Sequence, residues 1–334
     1  MQNPHKQRSL ALPGRRLLIV YDLHSQPFSI GDILTFQICS LILSSESSNC
    51  VIDFSFYAND RNFLAADMAF LDINANNFYG HLGKIFEASF INQKLGSIFV
   101  FRRFDDVVDH VRTSQSDVWP PISDIKAGLG YMYYKIFDDV IYPHYLKVGS
   151  LPALNVNPAH VAWAQSFLEK HSKGFLPVSI NIRNNLNHQV SRNLEVDVWL
   201  DFFHYCEKRY RIKFIVISSI EELFDGLDGC KNVVVSKNFG ATLGHDAALM
   251  ELCEFHMGAP SGLATKAIFS SKPYLFVKGE LDKQNFTNSS IVCFEKDNIQ
   301  RFSFSKPDQI FISGNENLQI LTNYLERILN RHGM

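Results

Sequence analysis

The sequence predicts an α/β protein of two halves, each a mostly parallel sheet flanked by helices. Three observations predict it. Short apolar, β-rich runs alternate with helical segments from Arg16 to Arg112. The alternation restarts at Gly174 and continues to Val277. Between the two lies Val148–Pro158, where Gly149, Pro152 and Pro158 give a linker composition. The 334 residues suffice for two domains of ordinary size, and no repeat of fixed period runs through them.

In the first half, Arg16–Leu23 (RLLIVYDL) reads as a buried parallel strand. A polar loop with Pro27 follows, then Gly31–Leu43 as a mostly buried helix. Asn49–Tyr57 is a second strand and Phe78–Phe90 a helix. Gly96–Phe104 is a third strand, and Asp105–Arg112 a short helix with acids in its first turn. The tyrosine-rich stretch Ile122–Tyr145 reads as helical, and its part 131–145 either fills the core, the plainer reading, or binds an acceptor. Ala159–Lys173 is an amphipathic helix that starts just after Pro158.

The second half reads as strands at Phe175–Arg183, Ile212–Ser219, Asn232–Ser236, Glu254–Met257 and Pro273–Val277. Helices are expected at Leu194–Tyr210, Glu221–Leu227, Leu243–Cys253 and Ser261–Ser270. A terminal amphipathic helix over Asn315–Asn330 carries Leu318, Leu321, Leu325 and Ile328 on one stripe.

Composition narrows the function classes. Hydrophobic residues make up 46% and charged residues 20%, which excludes disorder as the main state. Thirty-two basic residues against 34 acidic ones give a net charge of −2, so no broad basic field invites nucleic acid. The six cysteines are dispersed without a CxxC pair and read as buried free thiols of a reducing compartment. The sequons at Asn285 and Asn288 carry no weight without a secretory signal. Met1 to Arg16 is polar and basic with no apolar core, and no run reaches 18 apolar residues. A cytoplasmic protein is expected, with peripheral association at the inner face of a membrane compatible with this reading.

Ligands of open α/β sheets lie beyond the carboxyl ends of strands, near helix N-termini, so the loops after strands are the places for chemistry. The first is His24–Asp32 (HSQPFSIGD). Gly31 permits close backbone approach there, and Asp32 stands at a helix start, where a carboxylate either caps the helix or acts as a general base facing a cleft. The second is Asn181–Asn193 (NIRNNLNHQVSRN). Its Arg183, Asn184, Asn185, His188 and Arg192 suit phosphate or carboxylate recognition, because guanidinium forks match those oxygens. A solvated loop with one structural ion pair is the plain alternative, and His188 by itself reads as an exposed loop histidine. The third is Gly258–Lys266 (GAPSGLATK), a small-residue turn with Ser261 as cap. Backbone N–H groups at Gly262 and Leu263 can hold a phosphate.

The chain has no GxxxxGK[ST] loop, GxGxxG, HExxH, Gly-x-Ser-x-Gly or DxD metal motif. The acidic pairs Asp105–Asp106 and Asp138–Asp139 read as helix-end or solvated pairs. The aromatic residues lack a basic stripe and read as core.

Taken together the three loops resemble the GT-B glycosyltransferases, and within them the heptosyltransferase-like branch. Ser29-Ile30-Gly31-Asp32-Ile33 matches that family's Ser-x-Gly-Asp-Val turn, whose aspartate is proposed to deprotonate the acceptor hydroxyl. Arg192-Asn193-Leu194 and Trp199 fall where the family has a Lys-x-Trp-Pro segment and a helix bearing Trp, so Arg192 would replace the phosphate-binding lysine. Ala259–Ala267 followed by Lys272-Pro273 is similar to the family's late small–Asp-Thr-Gly-Leu–x-His-x-Ala turn and Lys-Pro strand, with Pro260 in place of the aspartate and Thr265 in place of the histidine. The Pro-Ser-Gly form also resembles turns of other bacterial surface-polysaccharide transferases. Arg183 is similar to the arginine of fucosyltransferase-like members.

The resemblance implies two Rossmann-like α/β domains facing a cleft. Residues 1–155 would form the acceptor side and 156–314 the nucleotide-sugar-binding side, with 315–334 a helix packing back across the cleft. It implies metal-independent transfer from a nucleotide-sugar donor to a glycan or lipid-linked saccharide, with no cofactor. Asp32 would be catalytic. Arg183, Asn184, Arg192, Ser261, Gly262 and Lys266 would bind the donor. Two other readings stay open: a nucleotide-sugar epimerase or hydrolase, and a binding or scaffold protein that kept the fold and lost the chemistry.

Overall fold

The computed structural model describes residues 15–23, 25–26, 28–45, 50–57, 78–129, 133–185, 190–281 and 286–332. Pro27, His188 and the sequon at Asn285 lie outside the described residues.

The first half is a parallel sheet of strands β1 (Arg16–Asp22), β2 (Val51–Tyr57), β3 (Leu95–Phe101) and β4 (Asp117–Trp119), in the order β3-β2-β1-β4. Side chains alternate across β1. Leu17, Ile19 and Tyr21 face helices α1 (Ile30–Ser44) and α2 (Phe78–Ser89). Leu18 and Val20 face α3 (Phe104–Ser114) and α4 (Ile122–Lys126), where Val107 and Ile125 complete a small core. Burial on both faces is why the strand reads as a continuous apolar run. β4 escapes sequence reading because three residues carry no period.

The helix expected over Ile122–Tyr145 is interrupted. Gly128 adopts a left-handed φ of 65° after α4. A second helix, α5, then runs through Tyr133–Ile136, a π-helical turn Phe137–Ile141, and Tyr142–Val148. Its core assignment holds at Phe137, Ile141 and Tyr142, all buried.

The second half contains α6 (Pro158–His171), β5 (Leu176–Asn181), α7 (Val196–Arg209), β6 (Ile212–Val216), β7 (Val233–Val235), α8 (Leu243–Leu252), β8 (Phe255–Gly258), α9 (Ala264–Ile268) and β9 (Tyr274–Val277). After these come β10 (Val292–Phe294), β11 (Ile299–Phe302), β12 (Gln309–Ile312) and α10 (Leu318–His332). The sheet order is β10-β11-β12-β9-β8-β5-β6-β7, parallel except for the β10–β11–β12 edge. That edge was not read from the sequence, its strands being three or four residues long. Asp297 and Asn298, both near φ +60°, make the β10–β11 turn and are its one local signal.

Two expected helices shrink. Glu221–Leu227 becomes short 3₁₀ turns on either side of Gly226, whose φ is +93°. Ser261–Ser270 is helical only over Ala264–Ile268.

Among the described residues the terminal helix packs on its own half. Leu321, Tyr324, Leu325 and Ile328 of α10 join Trp199, Phe202 and Phe203 of α7 in the second half's own core. Tyr205 and Tyr210 donate to Glu326 on α10 (3.3 and 2.9 Å), and the Tyr324 hydroxyl donates to the Asp308 carbonyl at 2.8 Å. The amphipathic stripe therefore found its partner locally. α5 bridges the halves: Phe137 packs on Phe269, Phe286, Phe302 and Phe304 of the second half. One apolar cluster consequently runs through both halves.

Candidate active site

α1 starts directly beyond β1. Ser29 is extended and its Oγ accepts the Asp32 N–H at 3.4 Å, so the cap is Ser29 and Asp32 is the third helical residue. The Asp32 carboxylate is half buried in the first turn, where the helix dipole favours an acid. It lies close enough to the buried Tyr21 hydroxyl to add to the effect of burial in raising that group's pKa.

Each sheet reverses its strand order beside its first strand. In the first sheet β1 lies between β2 and β4; in the second β5 lies between β6 and β8. Chain leaving such neighbours diverges to opposite faces and opens a crevice at the carboxyl ends. In the second half this crevice is built tightly. The Ala259 N–H donates to the Asn181 carbonyl at 3.0 Å, and Asn181 Nδ2 donates to the Ala259 carbonyl at 3.2 Å. Gly258, at φ +140°, makes this approach possible, since a Cβ there would stand 2.1 Å from the Asn181 oxygen.

The two crevices face each other. A Cβ on Gly262 would lie 2.7 Å from Ile30 Cβ and 3.0 Å from Gly31 N. A Cβ on Gly31 would lie 3.0 Å from Thr265 Oγ1. The turn bearing Asp32 thus meets the Ser261–Gly262 turn backbone to backbone. Ser261 Oγ accepts the Ala264 N–H at 3.4 Å, and the N–H groups of Gly262 and Leu263 donate to no group among the described residues. α9 is too short to contribute much dipole, so any anion there is held by these amides.

Arg183 lies two residues past β5, with Asn184 half buried beside it. Its neighbour Ile182 donates to Ser218 Oγ at 2.6 Å, which fastens the β5 end to the β6 end. The guanidinium is 10% exposed and sits 3.8 Å from Glu222. Burial lowers the Arg183 pKa and raises that of Glu222, each against the pull of the other. Arg192, in the 3₁₀ turn Val190–Arg192, lies near enough for its charge to lower the Arg183 pKa further. It makes no ion pair among the described residues. Two guanidinium groups therefore share the mouth of the β5 crevice.

Glu222 was missed by sequence reading. Its signal is an acid just past the second strand of an open α/β sheet, at the carboxyl end where such sheets place their crevice.

Lys266 is not with these groups, contrary to the sequence expectation. Its amine is buried, donating to the Leu154 carbonyl at 2.6 Å and to Glu251 at 3.0 Å. It ties the interdomain linker to α8 and α9. A cavity of about 160 Å³ lies on this linker side, lined among others by Leu154, Glu251, His256 and Lys266.

No family model and no curated protein matches the chain. Solved structures do. The glycosyl transferase family 9 protein of Veillonella parvula DSM 2008 is 11% identical, with 95% of this chain and 89% of that chain aligned at a TM-score of 0.54. The E. coli ADP-heptose lps heptosyltransferase II is 12% identical, with 96% of this chain and all of that chain aligned (100%) at a TM-score of 0.55. The fold is the two-domain GT-B glycosyltransferase fold. Among the described residues no helix is long and apolar enough to cross a membrane.

Proposed function

We propose that the protein is a glycosyltransferase that moves a sugar from a nucleotide-sugar donor to a glycan or lipid-linked saccharide acceptor. The observation that carries this reading is the meeting of the two crevices at Gly31 and Gly262. It brings the helix start that carries Asp32 in one half against the Ser261–Gly262 turn of the other.

The donor would lie in the second half. Arg183, Arg192 and the amides of Gly262 and Leu263 would neutralise the diphosphate as it leaves, the work that a metal ion does elsewhere. Asn184 and Ser261 would orient it, and Glu222 would accept from the ribose hydroxyls. The acceptor would enter from the first half. In an inverting transfer Asp32 takes the acceptor proton while the hydroxyl oxygen bonds to the anomeric carbon and the nucleoside diphosphate departs. In a retaining transfer it positions the acceptor. Exclusion of water between the two turns would limit donor hydrolysis.

Thermal shift with ADP, GDP, UDP, CMP and their sugars tests the donor site. A ligand at about a hundred times its Kd adds about 2.7 kcal/mol to the native state. A melting-point rise with one nucleotide, lost in Arg192→Ala and in Arg183→Ala, is the expected result. Absence of any rise with the whole panel would sink the reading.

One second reading has an observation behind it. Pro260 and Thr265 stand in the turn facing Asp32, and Lys266 is committed to the linker, which suits a nucleotide-sugar-binding protein without transfer. Donor binding without turnover over a broad acceptor panel would favour it.

A further inference from the structure

Lys278 follows β9 directly and adopts a left-handed backbone, φ +55°, which costs a residue with a Cβ about 1 kcal/mol. Such conformations persist only where the surroundings enforce them. Here the side chain enforces it. It is 8% exposed, and its amine donates to the Asn193 carbonyl at 2.5 Å and to Glu195 at 2.7 Å. Glu316, from the segment after β12, stands 3.6 Å from the same amine with its side chain fully buried. The other Glu316 oxygen accepts the Glu195 N–H at 2.7 Å and the Trp199 indole N–H at 3.2 Å.

These contacts converge on the segment that carries Arg192. The Asn193 side chain clasps the Asn185 backbone, its Oδ1 accepting the Asn185 N–H at 2.9 Å and its Nδ2 donating to the Asn185 carbonyl at 2.8 Å. The Leu194 N–H donates to the Arg183 carbonyl at 2.9 Å. The Asn193 carbonyl that Lys278 grips is therefore adjacent to Arg192 in the chain and one clasp away from Arg183. A lysine bound to two carboxylates and a carbonyl is not available to a ligand; it holds a loop.

We infer that Lys278, seated on Glu316, is a positioning residue for the two arginines of the donor-diphosphate loop. The inference rests on the donor reading above for its functional consequence, and on the loop geometry alone for its structural one. Fixing long side chains before the ligand arrives removes an ordering cost from binding. Releasing the Asn193 carbonyl frees the loop, so the guanidinium forks no longer converge. Neither Lys278 nor Glu316 bonds to the crevice wall built on β6 among the described residues, so that wall is affected only through Arg183.

The charge-balanced double variant Lys278→Met with Glu316→Gln tests this. It leaves the Glu316 Oε1 position able to accept from Glu195 and Trp199, so the fold survives where Lys278→Met alone would strand a buried carboxylate. Lys278→Arg, which retains a donor, is the rescue. Hydrogen exchange at the Asn185 and Leu194 amides should speed up by about tenfold or more in the double variant. Affinity for ADP, GDP or UDP should fall by about tenfold, with affinity for the matching nucleoside unchanged. Exchange and diphosphate affinity that both match wild type would overturn the inference. Binding of diphosphate by the wild-type protein with unaltered exchange in the double variant would overturn it as well, leaving the donor reading intact. Faster exchange, with no diphosphate bound even by wild type, would uphold the pin and remove the donor reading instead.

Discussion

A methyl group added at Gly262 would press on Ile30 Cβ and Gly31 N, and neither has room to rotate away. Gly262→Ala should cost about 1–3 kcal/mol by overpacking, and should weaken nucleotide binding as the turn shifts. Urea denaturation with nucleotide titration checks both. Gly83→Ala in α2 is the control, because nothing lies within 4 Å of its Cβ position; a helical Gly→Ala there should gain about 0.5–1 kcal/mol. Another single residue contributes to acid sensitivity. His256 on β8 is buried, with Nδ1 3.0 Å from Ser179 Oγ, and burial lowers its pKa from 6.5 to about 3. The unfolded chain binds this proton readily below pH 6.5 and the folded chain resists it until about pH 3. Stability must therefore fall with pH across that window, by about 2 kcal/mol between pH 7 and pH 5 from this group. In His256→Asn the drop measured by urea denaturation at the two pH values should shrink by that amount.

At the level of elements, the start of α8 shows how the halves use each other. Thr242 and His245 form a reciprocal cap: Nδ1 of His245 accepts the Thr242 N–H at 3.1 Å. The next orphan amide, Leu243 N–H, is taken at 2.6 Å by Glu87, which stands on α2 of the other half. A carboxylate at a helix N-terminus is favourable through both hydrogen bond and dipole. Thr242→Ala and Glu87→Ala should each destabilise by about 1 kcal/mol, read as shifts in the denaturation midpoint. The cap also needs an unprotonated Nδ1. Burial, and then the neighbouring His160, lower the His245 pKa, so the cap is retained at neutral pH and lost on acidification.

For the whole molecule, α5 decides how freely the halves move. Phe137 is fully buried among four phenylalanines of the second half. Asp138 beside it accepts the Thr287 and Asn288 N–H groups at 2.7 and 3.1 Å. The π-helical turn widens the helix at this point and lets both residues reach across. Phe137→Ala should cost about 3–5 kcal/mol. Calorimetry should show one unfolding transition for the native chain, since one apolar cluster spans both halves, and two for the variant. Two transitions already in the native protein would contradict that coupling.

Much of this was legible in the chain itself. Short, mostly apolar runs mark β1, β2, β5 and β6, because a strand covered on both faces is buried along its length. Ser29, Gly31 and Asp32 announce a capped helix start, and Arg183 and Arg192 announce an anion-competent loop, because those residue types are chosen by local backbone geometry and by charge. Local sequence could not say which surfaces meet. The stripe on α10 is the same whether it covers its own domain or bridges two, and packing on Trp199 and Phe202 decided the former. Lys266 carries the charge of a donor ligand, yet the Leu154 carbonyl and Glu251 claimed it. Glu222 and Lys278 stand in segments without a motif and acquire their partners only when distant strands align. Long-range pairing sets those partners, and it depends on strand order and crossover, which no local period encodes.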